Sequence, residues 1–182
     1  MIVACFHGAE STGKSVLAAR LHARFGWPWL PEYGRDYCEA LFARTGRTEL
    51  AMDDLIAIGR GQALRQVEAI AASRAAGAPV LVLDTDPLMT AAWAEMLFGE
   101  APGELFATPR ADRYLLFAPD VPWIADGSRF FGTEAARARF AAIAEAVLVR
   151  AGVAWTRVEG DWDARERAVI AALAPALMRP PA

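Results

Sequence analysis

Gly8-Ala9-Glu10-Ser11-Thr12-Gly13-Lys14-Ser15 spells a complete G-x-x-x-x-G-K-S phosphate loop. Gly8 and Gly13 lack a Cβ, so the backbone there can curl and turn its N–H groups onto phosphate oxygens. A helix opening at the end of the loop adds the positive end of its dipole at the same place. Lys14 is expected to reach the β- and γ-phosphates, and the Ser15 hydroxyl to ligate Mg²⁺. Gly8, Glu10, Ser11, Thr12, Gly13, Lys14 and Ser15 are therefore the expected phosphate-binding set. The motif has the context it requires: the apolar run Ile2–Phe6 reads as a buried strand before it, and Ser15–Leu21 as a helix after it. Binding of a nucleoside triphosphate is the expectation.

A phosphate loop alone leaves three classes open: a switch GTPase, a mechanical or regulatory ATPase, or a kinase for a small molecule. No guanine-reading N-K-x-D occurs. An AAA-type machine calls for further elements and usually more chain than remains after the core. A small-molecule kinase predicts a carboxylate ending the third strand, an acceptor site after the second, and an arginine-bearing lid late in the chain. Asp84 ends the run Val80–Leu83 in the Walker-B manner, where its charge can orient hydrated Mg²⁺ with Ser15. Glu32 and Asp36 follow the second strand and are candidates to accept the proton of an acceptor hydroxyl, with Asp86 behind them. Glu32 and Asp36 also fit a solvated, charged helix start. Arg129 is the candidate to close over the transferring phosphoryl group. Arg137 and Arg139 behind it fit an ordinary solvated helix face equally well.

The elements that must position these residues alternate. Strands are expected over 2–7, in the extended Trp27–Pro31 stretch, over 80–84, over 114–117 and over 154–158. Helices are expected over 14–25, from Glu32 to about 43, over about 50–76, from Pro87 with Asp86 as its N-cap, over about 134–150, and to about 178 at the end. Gly59 and Gly61 are expected to bend or loosen the third of these. Asp163 and Glu166 suggest a capping box for the last. Residues 99–112 read as loop or short helix. Alternation of this kind demands a mostly parallel sheet covered on both faces, with ligands at the carboxyl ends of its strands.

At 182 residues the chain is expected to form a single α/β domain, with a lid region at about 120–140. Its net charge of −3 gives no pull towards nucleic acid or anionic lipid, and no apolar run is long enough to span a membrane. Cys5 and Cys38 form no C-x-x-C and read as small hydrophobes, so a reducing cytoplasm is expected.

Glu32-Tyr33-Gly34-Arg35-Asp36-Tyr37 and Leu83-Asp84-Thr85-Asp86 follow the phosphate loop in the order and spacing of the NadR-type ribosylnicotinamide kinase domain, which this chain resembles from its first strand to about residue 165. Pro122-Trp123-Ile124-Ala125-Asp126-Gly127 with Arg129 is similar to that family's fourth motif, in its lid. The resemblance implies a three-layer α/β/α P-loop fold with strand order 2-3-1-4-5. It also implies transfer of the γ-phosphate of ATP to the 5′-hydroxyl of nicotinamide riboside, giving nicotinamide mononucleotide. Here the kinase is expected to stand alone, with any further step in NAD synthesis done elsewhere.

Lys14, Glu32, Asp84, Asp86 and Arg129 are then the expected catalytic residues. Glu32, Tyr33, Arg35, Asp36, Trp123 and Asp126 are the expected acceptor contacts, with Arg35 on the ribose or the phosphoryl group. A cationic pyridinium ring favours an aromatic face. Tyr33 and Trp123 lead that group, with Tyr37 also a candidate, while Trp27 and Trp29 suit packing better. Adenine is expected near Val158–Asp161, with Arg165, by fold analogy.

Overall fold

The computed structural model describes residues 1–123 and 130–177. Its strands are β1 (Ile2–His7), β2 (Trp29–Leu30), β3 (Val80–Asp84), β4 (Arg113–Phe117) and β5 (Trp155–Val158). Its α-helices are α1 (Lys14–Phe25), α2 (Tyr33–Thr45), α3 (Met52–Ala75), α4 (Pro87–Phe98), α5 (Glu134–Arg150) and α6 (Trp162–Leu177). A 3₁₀ turn at Gly103–Phe106 lies within the stretch read as loop or short helix. The strands form one sheet in the order β2-β3-β1-β4-β5, and every neighbouring pair is parallel. This is the α/β P-loop architecture expected.

Strands covered on both faces need continuous apolar runs, and β1 and β3 are buried at every residue. One layer packs Leu17, Leu21, Val169 and Leu173 of α1 and α6 against Ala4, Phe6 and Val82. The other packs Leu55 and Ile58 of α3, Leu88 and Met89 of α4, and Phe140 and Val147 of α5 against Cys5 and Leu83. Alternation along each strand sends successive side chains to opposite layers. At the end of β1, burial pushes His7 down to about 3, so its ring is neutral and its Nε2 meets the carbonyl of Ala144 in α5 at 3.0 Å.

Two local expectations need correction. The long helix α3 runs unbroken through Gly59 and Gly61, because the missing side chains admit neighbours: a Cβ would lie 2.2 Å from Leu105 and 2.0 Å from the Tyr33 ring, respectively. The cap of α6 is Asp161 rather than Asp163, its Oδ1 accepting the N–H of Ala164 at 2.8 Å. Glu166 does not complete a capping box, because Arg20 and Arg24 on α1 hold its carboxylate.

Candidate functional site

The phosphate loop joins β1 to α1 at the carboxyl edge of the sheet. Gly8 lies at φ +131° with the site of a Cβ 2.7 Å from the carbonyl of Phe117, and Gly13 at φ +85° with its Cβ site 2.7 Å from the Trp162 ring. The close approaches exclude a Cβ at both positions, and the dihedrals favour glycine. Lys14 folds back along the loop, its Nζ donating to the carbonyls of Gly8 and Ala9 at 2.7 Å each. Thr12 Oγ1 donates to Ala9 O at 2.8 Å. These bonds hold the loop closed around the ammonium.

Across from the loop, Ser15 Oγ donates to Asp84 Oδ2 at the end of β3. The other carboxylate oxygen, Asp84 Oδ1, is buried and has no hydrogen-bond partner among the described residues. Burial raises this carboxyl, while Lys14, the Ser15 hydroxyl and Arg35 pull it back down. A hydroxyl beside a carboxylate with an unused oxygen is a hard-oxygen set that suits Mg²⁺. Among the described residues no three His, Cys, Asp or Glu side chains gather into a metal site of their own. The donor set therefore fits a cation shared with bound phosphates rather than a protein-only cage.

Glu32 is the N-cap residue of α2 but makes no capping bond with its side chain. It lines the same cavity as Lys14, Ser15 and Asp84. Burial pushes its carboxyl up to about 6; Asp84 adds to the rise, Lys14 and Arg35 oppose it, and Glu10 adds slightly. A carboxylate with that value gives and takes protons near neutral pH. Arg35, exposed on the first turn of α2, lines the cavity beside it.

The cavity is about 460 Å³ and extends from the loop between α2 and α3. Leu41, Phe42, Leu50, Leu55 and Ile58 form its apolar wall, with Trp93 of α4 and Phe130 closing the side. Trp93 is held by Phe140, whose ring centroid is 4.7 Å away, and by Phe131 at 5.5 Å. Cys38 contributes a thiol raised by burial and by the charges of Glu32, Asp54 and Glu39. None of these apolar wall residues stands out in the sequence. Trp93 sits in a helix that is apolar almost all round, so periodicity does not single it out.

Several expected site residues lie elsewhere. Asp86 is 1% exposed and both its oxygens are committed, Oδ1 to the N–H of Leu88 at 3.0 Å and Oδ2 to the Tyr114 hydroxyl at 2.5 Å. It caps α4, as its sequence position also suggested, and does not reach the cavity. Asp36 points to the surface and pairs with Arg65 at 2.8 Å. Tyr33 packs its ring on α3 under the Arg65 guanidinium, 4.5 Å from the ring centroid. Tyr37 donates to Asp54 at 2.8 Å, and Trp123 lies against Gly132. Neither lines the cavity. Asp126 and Arg129 lie outside the described residues.

Arg165 is fully buried and cannot meet a base. It donates to the carbonyls of Thr12, Ala118 and Gly160 and pairs with Asp120, tying the phosphate loop to the ends of β4 and β5. Arg137, open between a lid role and a solvated helix face in the sequence, is half-buried and donates to the carbonyls of Pro119 and Val121. Glu10 reaches out of the loop to accept the N–H of Phe131 at 2.6 Å.

A family model described as AAA domain matches residues 3–165. The chain belongs to the AAA domain family. The chain is 32% identical over 166 residues to the trifunctional NAD biosynthesis/regulator protein NadR of Escherichia coli, and equally to that of Salmonella typhimurium. Each match takes in 87% of this chain and 38% of the relative, so the chain spans well under half the length of these curated proteins. The fold superposes on a crystal structure of NadR protein in complex with NR with a TM-score of 0.70 at 26% identity, covering 95% of this chain and 52% of that one. It also superposes on deoxyadenosine kinase from M. mycoides with a TM-score of 0.61 at 10% identity, over 96% and 100% of the two chains, which supports the fold alone.

Proposed function

We propose that the chain is an ATP-dependent kinase that phosphorylates the 5′-hydroxyl of nicotinamide riboside, giving nicotinamide mononucleotide and ADP. One observation carries the reading: a phosphate cradle, a hydroxyl–carboxylate pair and a carboxylate tuned to about 6 all face a single cavity with an apolar far wall. Similarity to the NadR proteins, and to the NadR structure with NR, supports the choice of acceptor.

In this mechanism the loop amides and Lys14 bind the triphosphate, and Lys14 exchanges its bonds to Gly8 and Ala9 for phosphate oxygens. Ser15 and Asp84 are the residues that would hold Mg²⁺, which supplies positive charge to the phosphates when bound. The acceptor's ring lies against Trp93, Phe42 and Phe130, a wall of aromatic faces that attracts a cationic pyridinium. Arg35 contacts the ribose or the transferred group. Glu32 takes the proton of the 5′-hydroxyl as its oxygen attacks the γ-phosphorus in line and ADP leaves. Residues 1–182 act as one kinase domain, with about 120–140, including Asp126 and Arg129, as a lid that closes over the phosphoryl group. The work is done in the cytoplasm, on small molecules. Among the described residues no helix is long and apolar enough to cross a membrane.

A second reading, ATP hydrolysis without an acceptor, draws on the AAA domain match. One assay separates them: ATP consumption with Mg²⁺, alone and with nicotinamide riboside, cytidine, uridine or thymidine. Stimulation by nicotinamide riboside, with nicotinamide mononucleotide as product, is expected. Stimulation by a different nucleoside keeps the mechanism and discards the acceptor. Hydrolysis indifferent to every nucleoside sinks the kinase reading.

A further inference from the structure

Gln62 sits mid-way along α3 and is 2% exposed. Both ends of its amide are engaged. Oε1 accepts the backbone N–H of Tyr33 at 2.8 Å, and Nε2 donates to the backbone carbonyl of Thr85 at 3.2 Å. Those two backbone groups belong to the residues that directly follow Glu32 and Asp84.

Each contact meets a local need. Tyr33 opens α2, so its N–H is one of the helix-start donors without an intrahelical acceptor. An N-cap side chain commonly bonds the first turn of its own helix, but Glu32 makes no such bond. Gln62 serves that first turn from another helix, which leaves the Glu32 carboxylate on the cavity wall. At the other end, Thr85 has φ +78°, a left-handed conformation unfavourable for a β-branched residue. Its N–H donates to Phe6 O at 3.2 Å and its carbonyl is held by Gln62, which fixes the turn just past Asp84. Gly61 allows the reach, because a Cβ there would strike the Tyr33 ring.

From this geometry we propose that Gln62 is a positioning residue: one buried amide spans the backbone behind Glu32 and behind Asp84 and fixes the separation of the two carboxylates. The proposal rests on the kinase reading, with Glu32 as the base and Asp84 on the metal side. The charged groups around Glu32 are Asp84 on β3, Lys14 and Glu10 of the phosphate loop, and Arg35 on α2. Gln62 carries no charge, so its influence on that site is geometric.

Gln62→Met keeps much of the side chain's volume and removes both bonds. Gln62→Glu keeps the acceptor for Tyr33 but turns the donor facing Thr85 O into a second acceptor. The test is a double-mutant cycle of wild type, Gln62→Met, Glu32→Gln and the double variant. It reads kcat with ATP and nicotinamide riboside, ATP affinity by equilibrium binding, and the thermal midpoint. Gln62→Met is expected to lower kcat about 10–100-fold and to leave the ATP Kd within about threefold. In the Glu32→Gln background its effect on kcat should be clearly smaller than in the wild type, because one of the two carboxylates it holds in register is already disabled. Gln62→Glu should give the same non-additivity.

Additive losses overturn the proposal, as does a loss seen in ATP affinity rather than kcat, or wild-type kcat in folded Gln62→Met. Unfolding of both variants also overturns it, leaving Gln62 as a stabiliser of the core. Failure of the kinase reading shows at different corners of the cycle. Either no acceptor stimulates the wild-type protein, or Glu32→Gln alone transfers at the wild-type rate.

Discussion

The two ends of the cavity are built on different principles. The end proposed to hold the phosphate donor is one contiguous loop that bonds within itself: Lys14 to Gly8 and Ala9, Thr12 to Ala9. Long-range bonds then brace it, chiefly Arg165 to Thr12 and Ser15 to Asp84. The acceptor end has no such motif. Its wall is gathered from α2, the segment after it, α3, α4 and Phe130, and most of those side chains are apolar. A donor cradle must present fixed dipoles to a highly charged group, which a rigid loop does. A wall for a flat organic ring needs only shape and an apolar surface, which many residue combinations provide. On the proposed function, chemistry is concentrated at one end and selectivity at the other.

That contrast makes its sharpest claim at the boundary, where Glu32 stands. Glu32→Gln is expected to lower transfer about 10²–10⁴-fold while leaving ATP binding intact, as checked by single-turnover kinetics and equilibrium nucleotide binding. The pH profile carries the sign. The base must be ionised, so kcat/KM for the acceptor should rise with pH and level off above about 6, and fall as pH drops below it. The same variant should be more stable. A carboxyl raised from 4.5 to about 6 holds more protons folded than unfolded between those values, so its ionisation costs stability above about 6. Partial exposure screens that cost to roughly 1 kcal/mol, and Glu32→Gln should gain about 2–4 °C in Tm at pH 8.

Lys14→Ala strikes the donor end. It should lower kcat about 10²–10³-fold by the same factor for every acceptor that works, and a loss confined to one acceptor would break the division between the two ends. Phe42→Ala strikes the acceptor end. Phe42 is 57% exposed, so its truncation should leave the Tm nearly unchanged. The KM for the nucleoside should rise about 5–10-fold, roughly 1 kcal/mol of lost ring contact, with the KM for ATP unmoved. The smallest effect is at Cys38, the thiol on the acceptor wall. Its raised value should make alkylation at pH 8 slower than for a free thiol, and nicotinamide riboside should slow it further. Cys5, wholly buried, should stay unlabelled throughout. Labelling of Cys38 that ignores the nucleoside but responds to ATP would put the acceptor at the wrong end.

The sequence by itself determined whatever depends on local order. The phosphate loop is read from spacing because its function lies in backbone amides, and because a Cβ at Gly8 would meet the Phe117 carbonyl and one at Gly13 the Trp162 ring. Asp84 is read from the buried run before it, and the alternation of strands and helices follows from periodicity. Tertiary structure decided the rest, because a side chain's role depends on which partner reaches it first. Asp86 and Asp36 look as reactive as Glu32 along the chain. Tyr114 and the α4 N-terminus claim Asp86, Arg65 claims Asp36, and Gln62 takes up the start of α2 that Glu32 leaves uncapped. Tyr33 and Trp123 are likewise drawn into packing, while Trp93, unmarked in an apolar helix, comes to face the cavity. Packing left one of three similar carboxylates facing the cavity and raised towards neutrality, put a second in a surface ion pair, and held the third in the cap that its place before Pro87 also indicated.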